Sequence, residues 1–296
     1  MFNNFFIRTT VKIFGALPLF LRAILGRLIG ALISFLPTRD RAITREQLRI
    51  YLGKIPNLYT LSKIYSGFGQ SIFESLNLAP MLRNLDRYVY CPDWDNIYHV
   101  FSQNKPVVAL SAHTANWDLL AAYIVGRGVP VSVVGREANK ASLQGVLLTI
   151  RGNYGVNTIW RADRGGLREI IKELRNNRLV SALIDQDTKV TSERIPFFGQ
   201  FAQTPSTLVT IGHKLNATFV VIFISRIGFQ RYKIEMHEFP KNLSIEEILV
   251  SYNKKVEEHI RKNPNQWVWF HKRWRTLDNG QRLGSKDYLK YLKETA

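Results

Sequence analysis

Cysteine is nearly missing from this sequence. Cys91 stands alone among 296 residues, so no intrachain disulfide is available and nothing calls for an oxidising compartment. A cytosolic active site fits. Acidic residues are also scarce: 23 Asp and Glu face 41 Lys and Arg, for a formal net charge of +18. That surplus points to anionic partners, whether phospholipid headgroups, nucleic acid or an acidic carrier protein. Long hydrophobic runs are absent from the N-terminus, where Arg8, Lys12, Arg22 and Arg27 interrupt the ~18 uncharged apolar residues that a plain transmembrane helix requires. No zinc-ligand spacing, Walker-type phosphate loop or Gly-x-Ser-x-Gly elbow occurs, so hydride transfer and nucleotide hydrolysis lack support and no metal or other cofactor is called for.

What is present is enough apolar sequence, 46% of the chain, to bury one large core behind an N-terminal appendage. In that appendage, Arg8, Lys12, Arg22 and Arg27 fall within an arc of roughly 140° at helical spacing. Phe5, Phe6, Ile13, Phe14, Leu21 and Leu28 take the rest of the wheel. The pattern predicts a basic amphipathic helix lying in a bilayer interface, apolar side down and cations at the headgroups. Pro18 breaks or kinks it. No small-residue cleavage site follows, so the segment is expected to be retained.

From about residue 105 onward, short β-branched runs alternate with amphipathic stretches, the pattern of βαβ units and an α/β fold with a mostly parallel central sheet flanked by helices. Strands are expected at Val107–Ser111, Val131–Val134, Val156–Trp160, Leu179–Ile184 and Phe219–Ser225, with Arg231–His237 as a later edge strand. Helices are expected at Asp118–Gly126, Ala141–Tyr154, Gly166–Asn176, Thr207–Leu215 and Ser244–Lys262. Before the sheet, Leu48, Tyr51 and Leu52, then Leu61, Ile64, Phe68 and Ile72, recur at helical spacing.

The first of these strands runs into Ala112-His113-Thr114-Ala115-Asn116-Trp117-Asp118. Ligands of parallel sheets bind at the carboxyl ends of strands. An imidazole there, with a carboxylate five residues on, can form a dyad: Asp118 keeps one ring nitrogen protonated and the other takes a proton from an alcohol. The bland alternative is a capping arrangement at the helix start. Asp185-Gln186-Asp187 ends another strand and points at the same rim; alone, an Asp-x-Asp also suits a divalent cation with a diphosphate, and Asp187 also suits a turn cap. Trp267, Trp269, Phe270 and Trp274, interleaved with His271, Lys272, Arg273 and Arg275, fit core packing, a membrane interface, or stacking on nucleic-acid bases.

The string His113 to Asp118 resembles the His-x-Gly-Asn-Trp-Glu/Asp signature of the lipid A biosynthesis acyltransferases, within the wider H-x-x-x-x-D group that includes the glycerol-phosphate acyltransferases; Ala115 replaces the usual glycine. Val134-Gly135-Arg136-Glu137-Ala138-Asn139, with Arg151 and Gly155, is similar to an arginine-containing family segment. Ile195-Pro196-Phe197-Phe198-Gly199 with Thr204-Pro205 is similar to a Val-Pro-Phe-Phe-Gly block. Gln266 to Trp274 resembles the closing Trp-x-His-Arg-Arg-Trp element.

The resemblance implies a glycerol-phosphate-acyltransferase-like domain over residues 39–296 behind a membrane-associating segment over 1–38. It implies O-acyl transfer from acyl carrier protein, or acyl-CoA, to a hydroxyl of a lipid A precursor or related glycolipid at the cytoplasmic face of the bacterial inner membrane. His113 and Asp118 would be catalytic. Arg136, Arg164 and Asp185 would bind substrate; Arg164 also reads as part of a capped turn. Two alternatives stay open: another acceptor, such as an inositol mannoside or a lysophospholipid, and a non-catalytic basic protein binding membrane or nucleic acid, although no nucleic acid is expected.

Overall fold

The computed structural model describes residues 9, 11–53, 55–136, 149–161 and 165–295. Its described strands are β1 (Val89–Tyr90), β2 (Val107–Ser111), β3 (Val131–Gly135), β4 (Asn157–Trp160), β5 (Leu179–Leu183), β6 (Ser192–Phe197), β7 (Gln200–Pro205), β8 (Thr218–Gly228) and β9 (Arg231–Glu238). Seven of them form one sheet in the order β1-β9-β8-β2-β5-β3-β4. All neighbours run parallel except β8 and β9. Val107 pairs with Leu179 on one side and Thr218 on the other.

Every residue of β2 is buried, because helices cover both faces; this is why its sequence is continuously apolar rather than alternating. The main helices are α1 (Leu19–Phe35), α2 (Arg39–Leu52), α3 (Leu58–Ser75), α4 (Trp94–Ser102), α5 (Trp117–Gly126), α6 (Gly166–Arg175), α7 (Thr207–Lys214), α8 (Ile245–Lys262) and α9 (Ser285–Glu294). Helices α4 and α5 cover the face that carries Val107, Ala109 and Val131. The other face, with Val108, Leu110 and Val180, is covered by α6, α7 and α8. Ser244 caps α8 in a reciprocal box with Glu247, which satisfies two otherwise orphaned amide donors.

One strand expectation needs correction. Arg231–His237 is not the sheet edge, since β1 pairs outside it through Val89 and Tyr232. Two residues are too few to read as a strand by periodicity. The β6–β7 hairpin is an addition to the expected strands. Its turn, Phe198 and Gly199 with φ of 51° and 77°, has both central residues left-handed, as a tight two-residue hairpin connection requires. Of the helix expected over Ala141–Tyr154, residues 141–148 lie outside the described residues, and 149–152 are helical.

The N-terminal segment keeps the predicted break, with Pro18 extended at ψ 141° ahead of α1, and Lys12 and Arg27 are exposed, but Arg22 points the other way. Arg22 is fully buried and donates to the carbonyls of Leu17, Phe73 and Glu74, the last two at the electronegative C-terminal end of α3. Arg27 donates to Gln70 Oε1. The cause is a close helix crossing: a Cβ on Gly30 would land on the Tyr65 carbonyl, and one on Gly26 would land on that of Gly69. Small residues let the two backbones touch, as in packed helices within membranes. Phe20, Leu28, Leu32 and Phe35 are left more than half exposed, so the outward face of α1 is largely apolar while Arg22 is held inward. Among the described residues no single helix is long and apolar enough to cross a membrane; α1 and α2, bent by 86°, would reach that length together.

Candidate active site

Strand β2 delivers the loop 112–116 to the carboxyl edge of the sheet, and the loop is tied down along its length. Tyr252 donates to the Ser111 carbonyl at 2.7 Å, Thr114 to the Ile224 carbonyl, and the Ala115 amide to the Gln266 carbonyl at 2.9 Å. Asn116 accepts from the Leu119 amide as N-cap of α5 and donates to the buried Glu74. Ala115 sits at φ 45°, a left-handed conformation in which a Cβ is strained. That explains why a glycine suits this position of the motif.

His113 does not meet Asp118. Its Nδ1 donates to Asp185 Oδ1 at 2.6 Å, and its backbone amide donates to Asp185 Oδ2 at 2.8 Å. Trp267 Nε1 donates to that same Oδ2 at 2.7 Å. Burial pushes the Asp185 carboxyl up, but the charge and two hydrogen bonds of His113, with that of Trp267, outweigh it and hold it at about 2. The carboxylate is therefore ionised at any working pH, fixing the tautomer that leaves Nε2 as the proton acceptor. Trp117 abuts the imidazole edge-on at 5.1 Å. Asp118, in the first turn of α5, instead accepts from Arg151 Nε at 2.9 Å.

His113 opens onto a cavity of about 650 Å³. One wall is apolar, with Leu120 and Ile124 of α5 over Val131 and Val133 of β3; Leu167, Ile170 and Leu208 line the opposite side. Arg136, Arg151, Arg161, Arg275 and Arg282 also line it, whereas its acidic lining is Asp118 and Asp187. Both of those carboxylates are engaged, Asp118 by Arg151 and Asp187 by Arg282 Nε at 3.1 Å and by the Thr276 amide. The cavity thus combines a greasy interior with a strongly cationic rim. Among the described residues no group of three His, Cys, Asp or Glu side chains could hold a metal ion, and Asp185 and Asp187 serve as the acceptors just described.

Of the residues singled out from sequence, His113, Asp118 and Arg136 share this cavity, Asp185 lies immediately behind His113, and Arg164 lies outside the described residues. Trp267, Trp269 and Trp274 are buried, which fits core packing and leaves no ring face for a nucleic-acid base. Trp267 does more, since it grips Asp185. Arg161 and Arg282 carried no usable signal, and Arg275 only its place in the aromatic and basic run: their placement depends on loops whose course is set by tertiary packing.

A sequence model of the family described as bacterial lipid A biosynthesis acyltransferase matches residues 2–276. The lipid A biosynthesis palmitoleoyltransferase of Escherichia coli (strain K12) is 26% identical over 195 residues, covering 63% of this chain and 61% of that protein. A phosphatidylinositol mannoside acyltransferase of Mycobacterium tuberculosis (strain CDC 1551 / Oshkosh) is 23% identical over 174 residues, 54% of each chain. The chain therefore aligns with about three fifths or less of the length of these relatives.

Proposed function

Because the chain belongs to the bacterial lipid A biosynthesis acyltransferase family, we propose that it transfers a fatty acyl chain from acyl carrier protein, or acyl-CoA, to a hydroxyl of a lipid A precursor or related glycolipid. The observation that carries this reading is the His113–Asp185 pair at the mouth of an apolar cavity with a cationic rim. The acceptor O–H gives its proton to His113 Nε2 while its oxygen attacks the thioester carbonyl carbon. Collapse of the tetrahedral intermediate breaks the C–S bond, and the leaving thiolate takes the proton back from His113. Asp185, rather than Asp118, orients the ring and stabilises the imidazolium.

Asp118 acts one step removed, holding Arg151 at the cavity wall. Arg136 and Arg151 serve the phosphates of the acceptor, where guanidinium forks match phosphate oxygens; Arg164 is assigned to the same task on its sequence alone. The apolar wall between α5 and β3 takes the acyl chain. Residues 1–38 serve as the membrane-facing unit and 39–296 as the catalytic one, the exposed leucines and phenylalanines of α1 resting in the cytoplasmic leaflet of the inner membrane.

The test is transfer of labelled acyl chain from acyl carrier protein to a tetra-acylated lipid A precursor in detergent micelles, wild type against His113→Ala. General-base removal costs on the order of 100- to 10,000-fold. The mycobacterial relative supports a second acceptor class: transfer from acyl-CoA to an inositol mannoside, with none to the lipid A precursor, would move the assignment there.

A further inference from the structure

Just past the aromatic run, the chain folds into a small hairpin beside the cavity. Thr276 pairs antiparallel with Arg282, the Leu283 amide donates to the Arg275 carbonyl at 2.9 Å, and Gly280 turns the chain at φ 79°. The buried Asp187 fixes this hairpin to the segment after β5. Its carboxylate accepts from the Thr276 amide and from Arg282 Nε, each at 3.1 Å, and its carbonyl accepts from Arg282 Nη2 at 2.9 Å. Arg275 donates through Nε and Nη2 to the Leu283 carbonyl. Each guanidinium is thus held by one edge, Nε with Nη2. Neither Nη1 donates to any described residue, and neither is sealed from solvent. Both arginines line the cavity that His113 borders.

Two cations over one carboxylate leave a positive surplus. The hairpin's own acid, Asp278, turns instead to Arg194, and a third cation, Arg161, reaches Thr188 Oγ1 at 3.1 Å. Burial and then the charge of Arg282 push the Arg275 pKa down, as happens where like charges crowd together without a matching anion. Holding the hairpin needs no second like charge at the cavity, since a neutral donor at 275 would serve the Leu283 carbonyl equally. Resting on the acyl-transfer reading above, we propose that Arg275 and Arg282 form a phosphate-ester site, distinct from Arg136 and Arg151, that holds one substrate by its phosphate while the reacting group lies at His113. Planar forks fixed along one edge present their remaining donors already oriented, and phosphate oxygens match such donors. The family match ends at residue 276, inside the hairpin, so Arg282 lies beyond what that match covers. A phosphate ester is available on either substrate, on the lipid acceptor or on the pantetheine arm that carries the acyl thioester.

The experiment measures KM for donor and for acceptor separately, with kcat and melting temperature, in wild type, His113→Ala, Arg275→Gln, Arg275→Lys and Arg282→Gln. The acceptor is a tetra-acylated lipid A precursor before and after phosphatase treatment. The donor is acyl carrier protein thioester or an acyl N-acetylcysteamine thioester, which lacks the phosphate. Loss of a charge-assisted hydrogen bond costs about 10- to 100-fold. We expect Arg275→Gln to raise one KM by that factor with kcat within about threefold, and to melt within about 2 °C of wild type, because its amide N–H still serves the Leu283 carbonyl. Arg282→Gln should raise the same KM. A rise for the acceptor that vanishes after phosphatase treatment assigns the site to the acceptor phosphate; a rise for the donor that vanishes with the N-acetylcysteamine thioester assigns it to the pantetheine phosphate. Arg275→Lys keeps the charge and loses the fork, so it should show a smaller rise of the same kind, at least about threefold, and it decides the matter alone if the glutamine variant melts early. Both KM values unchanged, or a rise that persists on the phosphate-free substrates, would overturn the inference. Wild type that transfers to no lipid acceptor removes the acyl-transfer reading and this site with it; active wild type with inactive His113→Ala confines any failure to Arg275 and Arg282.

Discussion

Replacing Asp185 by asparagine separates the carboxylate that touches the imidazole from the one that the sequence spacing suggested. The Asp185 side chain is 1% exposed and accepts three hydrogen bonds, two from His113 and one from Trp267. Asparagine offers one oxygen in place of two and no charge. It can present its N–H to Nδ1, and the ring then adopts the tautomer whose Nε2 already carries a proton and cannot accept another. The expected loss in kcat is therefore about 10³- to 10⁴-fold, the scale seen when a triad aspartate is neutralised. The hydrogen bonds from His113 and Trp267 help to hold this carboxyl below its usual range, and asparagine keeps only some of them, so some loss of melting temperature accompanies it. Asp118→Asn, by contrast, keeps an oxygen for Arg151 and leaves His113 untouched; it should cost less than about tenfold, mostly in KM. Single-turnover transfer with labelled donor reads the chemical step, and circular dichroism reads the fold. Equal losses at the two positions, or an Asp185→Asn enzyme within tenfold of wild type, would refute the argument.

Three further outcomes follow from the packing. His259 is stacked on Phe223 at 4.4 Å with its Nε2 buried and unpartnered, and burial lowers its pKa from 6.5 to about 4. The folded protein resists protonation that the unfolded chain accepts, so stability is complete above about pH 6.5 and falls by about 1.4 kcal/mol per pH unit toward pH 4 from this residue alone. His259→Phe should flatten that part of a melting-temperature profile, and an unchanged acid slope would contradict it. Ala115→Gly releases the φ 45° strain and, net of the extra freedom of an unfolded glycine, should stabilise the protein by about 0.5–1 kcal/mol in denaturant titration without loss of activity. Leu28→Asp with Leu32→Asp, both on the exposed face of α1, should abolish flotation with anionic vesicles while leaving the melting temperature within about 2 °C, as exposed substitutions do; persistent flotation would locate membrane contact elsewhere.

The fold was largely legible because its strands are short, buried on both faces and β-branched, so that Val107–Ser111 and Leu179–Leu183 announce themselves without any pairing information. The hairpin at β6 and β7 was less so, because Phe198 adopts a conformation rarely given to an aromatic residue. At the site, His113 was singled out by its place after a strand, but the carboxylate that its ring meets was not. Spacing favours Asp118 at five residues, while the fold favours Asp185, 72 residues downstream, because β2 and β5 are adjacent and in register from Val107 with Leu179 to Ser111 with Leu183. Sequence distance conceals what sheet adjacency brings together. The N-terminal wheel misplaced Arg22 for a related reason: periodicity shows that cations share a side, but not whether one of them meets headgroups or the carbonyls of α3.

The buried guanidinium of Arg22 also bears on the order of events during synthesis. Its acceptors on α3 lie 51 and 52 residues downstream, so α1 leaves the ribosome well before anything exists to receive its charge. Until α3 is made and docked, placing that segment in hydrocarbon would strand an unpaired cation there, at a cost of at least ~2.5 kcal/mol. If α1 meets lipid as proposed, early insertion would be disfavoured until the Gly26–Gly30 face has closed on Gly69 and Tyr65. Under the membrane role proposed for α1, attachment to the bilayer would be a late step that reports completed folding, and a chain whose α3 fails to form would stay off the membrane.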